Sequence, residues 1–191
     1  MSRDSILDRI NKIKNSINSS NLPNVYLLNG EFEDSEINEL YNHPKVKSMV
    51  SATKGEGFGR PLLEFSLTGK PIIASGWSGH IDFLNPQYTT LVPGSLEKVH
   101  KSAANNWLIE QAQWFKINNS DLSKSFKSVF KKYKQFHQLG KKQKYYAKEN
   151  FSWEKMKELV GDILDKNIPE FPKQVELKLP KLKLPKLEKI K

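Results

Sequence analysis

The stretch "KGEGFGRPLLEFSLTGKPIIAS" (Lys54–Ser75) decides how this chain is read. Gly55, Gly57 and Gly59 alternate through its first six residues, Glu56 sits among them, and Glu64 follows eight positions later. A predicted strand precedes the run, and Pro61 suits the first turn of a helix that follows it, because its missing N–H would have no partner there anyway. Glycine lets main-chain N–H groups approach a ligand closely, and the start of a helix after a strand favours an anion. Several familiar motifs fail on spacing. A dinucleotide fingerprint needs a glycine where Arg60 stands, and a phosphate-binding Gly-Lys-Ser/Thr loop is broken by Pro71 after Lys70. "GWSGH" (76–80) ends in His80 where a nucleophile elbow needs glycine. His43, His80, His100 and His137 have no metal-ligand spacing, so no metal is expected. Two carboxylates around an open glycine turn suit a polyhydroxylated ligand, since each accepts several O–H bonds. Dipole stabilisation of the helix is the plainer explanation for Glu64.

Working outward, the chain alternates strand and helix at short spacing. "VYLL" (25–28), "VKSMVSA" (46–52), "PIIAS" (71–75) and "TTLVP" (89–93) read as strands. Residues 4–18 read as an amphipathic helix on Ile6, Leu7, Ile10, Ile13 and Ile17, and Ser35 is placed to cap a helix carrying Ile37, Leu40 and Tyr41. A helix from about Pro61 to Thr68 and a short one around Ile81–Leu84 complete an expected α/β fold, a Rossmann-like, doubly wound parallel sheet. Beyond Gly94 the pattern turns helical. Ser95 caps a helix with Leu96, Val99, Ala103 and Trp107 on one face, a second covers 121–139 with Leu122, Phe126, Val129, Phe130 and Tyr133 inward, and Gly140 ends it. A third runs through "FSWEKMKELVGDILDK" (151–166). The expected organisation is an N-terminal helix and linker (1–24), the α/β domain with its helices (25–168), and a tail (169–191).

Charge is placed unevenly along the 191 residues, which carry a net charge of +10. Residues 1–100 hold 10 basic and 11 acidic side chains, whereas 101–191 hold 21 and 10. Lys124–Lys148 contains nine lysines and no acid, and Lys166–Lys191 contains eight lysines against three glutamates. A solvated helix face with a basic tail accounts for this. The lack of arginine in both stretches argues against nucleic acid as a partner, because arginine is the commonest reader of guanine. In the tail, "KLPKLKLPKLEKIK" alternates leucine with lysine around repeated proline, which forbids a helix and suits either an extended segment lying on another surface or a disordered basic tail. There is no cysteine, no apolar leader and no apolar run long enough to span a membrane, so a cytoplasmic protein without signal peptide is expected.

"EGFGRPLLE" (56–64) resembles the Glu-x7-Glu signature of group 1, or family 4, retaining glycosyltransferases of the GT-B fold. The likeness extends in order through "VYLLNGEFEDSEINELYNH", "LTGKPIIASGWSGHIDFL", "TTLVPGSLEKV" and "NFSWEKMKELVGDIL", covering about residues 25–165. It is to that family's C-terminal, nucleotide-sugar-binding domain, half of a GT-B fold. The resemblance implies that Glu56 contacts the sugar being transferred and that Glu64 binds the ribose hydroxyls. It implies that Gly57, Phe58, Gly59, Arg60, Pro61 and Leu62 present main chain to the sugar and diphosphate, and that Ser78 and Gly79 line the same cleft, with Asp82 at the position of a family glutamate. The donor would be a UDP- or GDP-sugar, with neither metal nor separate cofactor, because backbone dipoles and basic side chains neutralise the leaving diphosphate.

The sequence also departs from that family. It shows no N-terminal acceptor domain and none of the first two strands of the C-terminal domain, whose glycine–arginine turn and lysine grip the diphosphate. Lys54 or Arg60 are the candidates to replace them. The missing strands imply a gap between "VYLL" and "VKSMV", to be closed by rearranged pairing or by a protein partner. A second expectation follows: a reduced, non-catalytic module of a larger assembly such as a phage particle, docked by residues 169–191 and residing in the host cytoplasm or the virion.

Overall fold

The computed structural model describes residues 2–105, 107–109 and 111–169. All but Pro169 of the expected 169–191 tail therefore lies outside the described residues. The chain divides into two compact units, Met1–Asn150 and Phe151–Lys191.

The centre of the first unit is β2 (Ile72–Ser75), whose four residues are all buried. An apolar run covered on both faces is what a central parallel strand requires. It pairs in parallel with β1 (Met49–Ser51), Met49 opposite Ile72, and with β3 (Thr90–Val92), Ile73 opposite Thr90. The sheet order is β1-β2-β3. Between β1 and β2 runs α3 (Arg60–Ser66), which buries Leu62 and Phe65. A 3-10 turn (Gly79–Asp82) follows β2. The described residues thus form a mixed α/β structure with a three-stranded parallel sheet and flanking helices, of the Rossmann-like class.

"VYLL" does not form the expected buried strand. Residues 25–28 have no ladder partner, and Val25, Tyr26 and Leu28 are exposed, Tyr26 at 82%. A short apolar run becomes a strand only when a neighbouring edge accepts its N–H and C=O groups, and among the described residues nothing pairs with the outer edge of β1. The preceding helix, α1 (Arg3–Ser16), forms as its periodicity predicts. The next, α2 (Asp34–Asn42), starts one residue before the expected cap: Glu33, not Ser35, occupies the N-cap and exchanges hydrogen bonds with Glu36. Its C-terminus is held by the Lys70 ammonium, which donates to the Tyr41 and His43 carbonyls, a favourable place for a cation. Burial first, then the charge of Lys47, lowers the pKa of Lys70.

The helix expected from Ser95 is instead a hairpin. β4 (Gly94–Lys98) pairs antiparallel with β5 (Gln113–Ile117), Leu96 opposite Phe115. Asn105 turns the chain by accepting the Trp107 and Leu108 N–H groups on its side chain, a local bond that competes with helix. Val99 is buried but Trp107, which shared its expected helical face, is 96% exposed.

The second expected helix is two. α4 (Asn119–Lys131) is capped by the Asn118 side chain, and α5 (Tyr133–Asn150) continues after a break at Lys132. Val129 of α4 packs with Ile73 and Val92, whereas Phe126 and Phe130, expected inward, are exposed. Gly140 does not end a helix: it lies buried inside α5, where a Cβ would come within 2.6 Å of the Gly69 carbonyl oxygen. Close approach of the helix to the turn before β2 is the reason for glycine there. Three residues on, buried Gln143 donates to the Phe83 carbonyl at 2.6 Å and accepts from the Asn85 N–H at 3.0 Å, fastening α5 to the end of the 3-10 turn.

In the second unit, α6 (Trp153–Asn167) is capped by Ser152 and keeps Trp153, Met156 and Ile163 exposed. No helix among the described residues is long and apolar enough to cross a membrane.

Alanine has the higher helix propensity by about 1 kcal/mol, so a loose site would make Gly140→Ala stabilising. The contact with Gly69 predicts the opposite, a loss of about 1–3 kcal/mol from overpacking, read from the urea midpoint. Gln143→Leu strips the Asn85 N–H of its acceptor and is expected to cost a further roughly 1–3 kcal/mol on the same assay.

Candidate functional site

The loops after β1, β2 and β3 leave the same end of the parallel sheet, where α/β proteins hold ligands. Two of them, 52–59 and 76–78, are bonded together through the main chain of Glu56. Its N–H donates to Ser78 Oγ at 2.9 Å, the Ser78 hydroxyl donates to the Glu56 carbonyl at 2.6 Å, and the Gly79 N–H donates to the same carbonyl at 3.0 Å. Any Cβ at Gly79 would overlap the Gly57 carbonyl, so only glycine permits the two turns to meet. Ser78 itself has φ 90° and ψ −174°, a region almost restricted to glycine that costs of order 1–3 kcal/mol for other residues. A serine kept there points to a demand for its hydroxyl.

Gly59 caps α3 in the left-handed conformation at φ 87°, beside His80. The His80 ring is buried and donates from Nε2 to the Ser75 carbonyl at 2.6 Å. Among the described residues, the N–H groups of Gly57, Phe58, Gly59 and Arg60 have no protein partner, nor does the half-buried Glu56 carboxylate. The Phe58 ring packs on Phe83 at 5.0 Å between centroids. Pro61 occupies the first turn of α3; Leu62 is in the core with its N–H donated to the Gly59 carbonyl. Asp82 is exposed in the 3-10 turn.

Glu64 faces elsewhere. It lies with Asp34, Asn38, Tyr41 and Arg60 around a groove of about 330 Å³ between α2 and α3, which Glu56 does not line. Arg60 Nε donates to Glu64 Oε1 across one helical turn, and this hydrogen bond, then the charges of Glu64 and Asp34, raise the arginine pKa further. Burial, with the Glu64 charge second, raises the Tyr41 phenol above its ordinary value. An ion pair this exposed is screened by solvent and adds little to stability, so Glu64 can exchange its partner cheaply.

The second candidate cation is also engaged. Lys54 Nζ stands 3.1 Å from the centroid of the Trp114 ring, and the Lys54 carbonyl accepts the Phe115 N–H at 2.9 Å. Phe115 in turn stacks on Trp77 at 5.9 Å and 10°. The β4–β5 hairpin therefore walls the glycine loop with aromatic rings. Sequence periodicity missed this, because a helical reading of 95–116 puts Trp114 and Phe115 in a different fold context. Tyr41 was legible only as an apolar helix position. Among the described residues no group of three or more histidine or acidic side chains is placed to hold a metal ion. No protein-family model matches the chain, and no curated protein matches it.

Ser78→Ala and Ser78→Gly both remove the hydroxyl, but only alanine retains the strained backbone. Ser78→Ala is expected to be less stable than Ser78→Gly by roughly 1–3 kcal/mol in thermal or urea unfolding. Equal stability would mean that the segment relaxes once the hydroxyl is gone.

Proposed function

We propose that this chain binds a UDP- or GDP-sugar at the glycine loop, as the donor half of a retaining, GT-B type glycosyltransferase. The observation that carries the reading is the clamp of Ser78 and Gly79 on the Glu56 main chain, beside which the donors of Gly57, Phe58 and Gly59 have no protein acceptors among the described residues. Diphosphate oxygens are acceptors without donors, and they match such a row of N–H groups. Glu56, at the start of the row, accepts hydrogen bonds from the sugar hydroxyls. The nucleoside end reaches from the glycine loop into the neighbouring groove between α2 and α3, where Glu64 accepts from the ribose once Arg60 releases it. The freed guanidinium then turns to the phosphates, where its planar fork pairs with two oxygens. Binding in this scheme stabilises charge with preorganised dipoles; turnover further needs an acceptor held in line.

A second reading is favoured by one observation. Both candidate phosphate-binding cations, Lys54 and Arg60, are already partnered, as befits a non-catalytic attachment module that keeps the fold and not the chemistry.

Isothermal titration separates the two. Saturable heat with UDP-glucose or GDP-mannose, weakened about ten- to a hundred-fold by Glu64→Ala through loss of charge-assisted hydrogen bonds, supports the donor site. No saturable heat with either sugar nucleotide at millimolar concentration overturns it and leaves the attachment module.

A further inference from the structure

The lysine-rich segment has a surface that sugar-nucleotide binding does not use. Lys127 and Lys131 on α4, Lys132 at the break, and Lys134, Lys141 and Lys148 on α5 are all exposed, and no carboxylate occurs between Asp121 and Glu149. Among the described residues, only Lys124 of the nine lysines from 124 to 148 has a carboxylate partner, Asp121 at 2.9 Å. So many uncompensated ammonium groups on one pair of packed helices repel one another, and an anionic partner relieves that repulsion.

Two further features say what kind of anion fits. At the junction of α4 and α5, Lys131, Lys132, Tyr133, Lys134, Gln135 and Gln138 surround a shallow hollow of about 420 Å³. Three ammonium and two amide side chains, without a carboxylate, suit a phosphate ester. The hollow has a fixed wall: the Tyr133 hydroxyl donates to the Lys47 carbonyl at 3.3 Å, and its ring stacks on His137 at 5.7 Å. Beside it in sequence, Phe126 and Phe130 sit four residues apart on α4, a spacing that puts them on one face. Phe130 is 86% exposed and Phe126 46%. Phenylalanine left in water among lysines is the signature of a helix face that lies in a lipid interface, with the rings in the acyl boundary and the cations at the headgroups. Nucleic acid is the poorer match. Neither helix contains arginine, and the face is shallow where strand binding uses a groove.

We propose that the α4–α5 face docks on an anionic lipid bilayer, with headgroup phosphates at Lys131, Lys132 and Lys134 and with Phe126 and Phe130 entering the interface.

The test is flotation of the full chain with vesicles of phosphatidylcholine alone and of an equimolar mixture with phosphatidylglycerol. Binding to the mixed vesicles only, weakening with added salt, is expected. At about five-fold in partitioning for each lysine, the triple variant Lys131→Glu, Lys132→Glu, Lys134→Glu should lose roughly a hundred-fold or more. Phe130→Ser, checked for native unfolding behaviour, should lose about ten-fold through the apolar area no longer buried. The double variant Lys12→Glu, Lys14→Glu on α1 should bind as the parent does. Equal binding to neutral vesicles, no binding to either, or parental binding by the triple variant overturns the proposal. Retention of an RNA homopolymer while both vesicles fail assigns the face to nucleic acid and overturns it equally.

Discussion

The pair of hydrogen bonds between the Ser78 side chain and the Glu56 main chain, with the Gly79 N–H added, is the constraint on which the rest of this site depends. It joins the loop after β1 to the loop after β2. Both loops issue from a sheet whose central strand is buried on both faces, so their roots cannot drift. The clamp consumes the Glu56 carbonyl and N–H, and the next main-chain donors have no protein acceptors among the described residues. It is stored at some cost in the Ser78 backbone, and strain of that kind persists only where the surroundings over-determine it.

Around this point the protein is built by side chains that satisfy backbone groups of other elements. Gln143 serves the main chain at Phe83 and Asn85, Lys70 serves Tyr41 and His43, and His80 serves Ser75. Gln143 and Lys70 tie helices to loops next to the sheet and His80 ties the 3-10 turn to β2; where such groups are buried, as Gln143 and His80 are, leaving them unmade is expensive. The hairpin β4–β5 adds a wall of a different sort. Lys54 over Trp114 and Trp77 on Phe115 bring aromatic faces next to the glycine loop, so the candidate site has a row of donors on one side and stacked rings on another.

Much of the scaffold could be read from residue pattern. The β2 strand, the glycine-capped α3 with proline in its first turn, β3, α1 and α6 follow from local period and capping. The misreadings share one cause. "VYLL" has the composition of a strand and, among the described residues, pairs with no edge although the outer edge of β1 is open; Leu96, Val99, Ala103 and Trp107 fall at helical spacing in a segment that Asn105 turns into a hairpin. Gly140 has the look of a helix end and is a helix-to-loop contact. In each, the local signal was present and a distant partner, or its absence, outweighed it. The same holds for the site: the family resemblance implies one cleft for Glu56, Glu64, Ser78 and Gly79, whereas nothing in their spacing shows that Ser78 and Gly79 bond the Glu56 main chain and that Glu64 turns to a separate groove beside Tyr41 and Arg60.

By itself the sequence determined the α/β class, the positions of the glycine turns and carboxylates, and the concentration of lysine between residues 124 and 148. Those depend on side-chain period, backbone freedom and charge, which act within a few residues. Only the tertiary structure decided which strands join the sheet, which aromatic rings face the glycine loop, and which lysines frame a hollow. Those depend on hydrogen-bond partners and apolar surfaces supplied from far along the chain, and a partner's availability is a property of the fold and not of any segment.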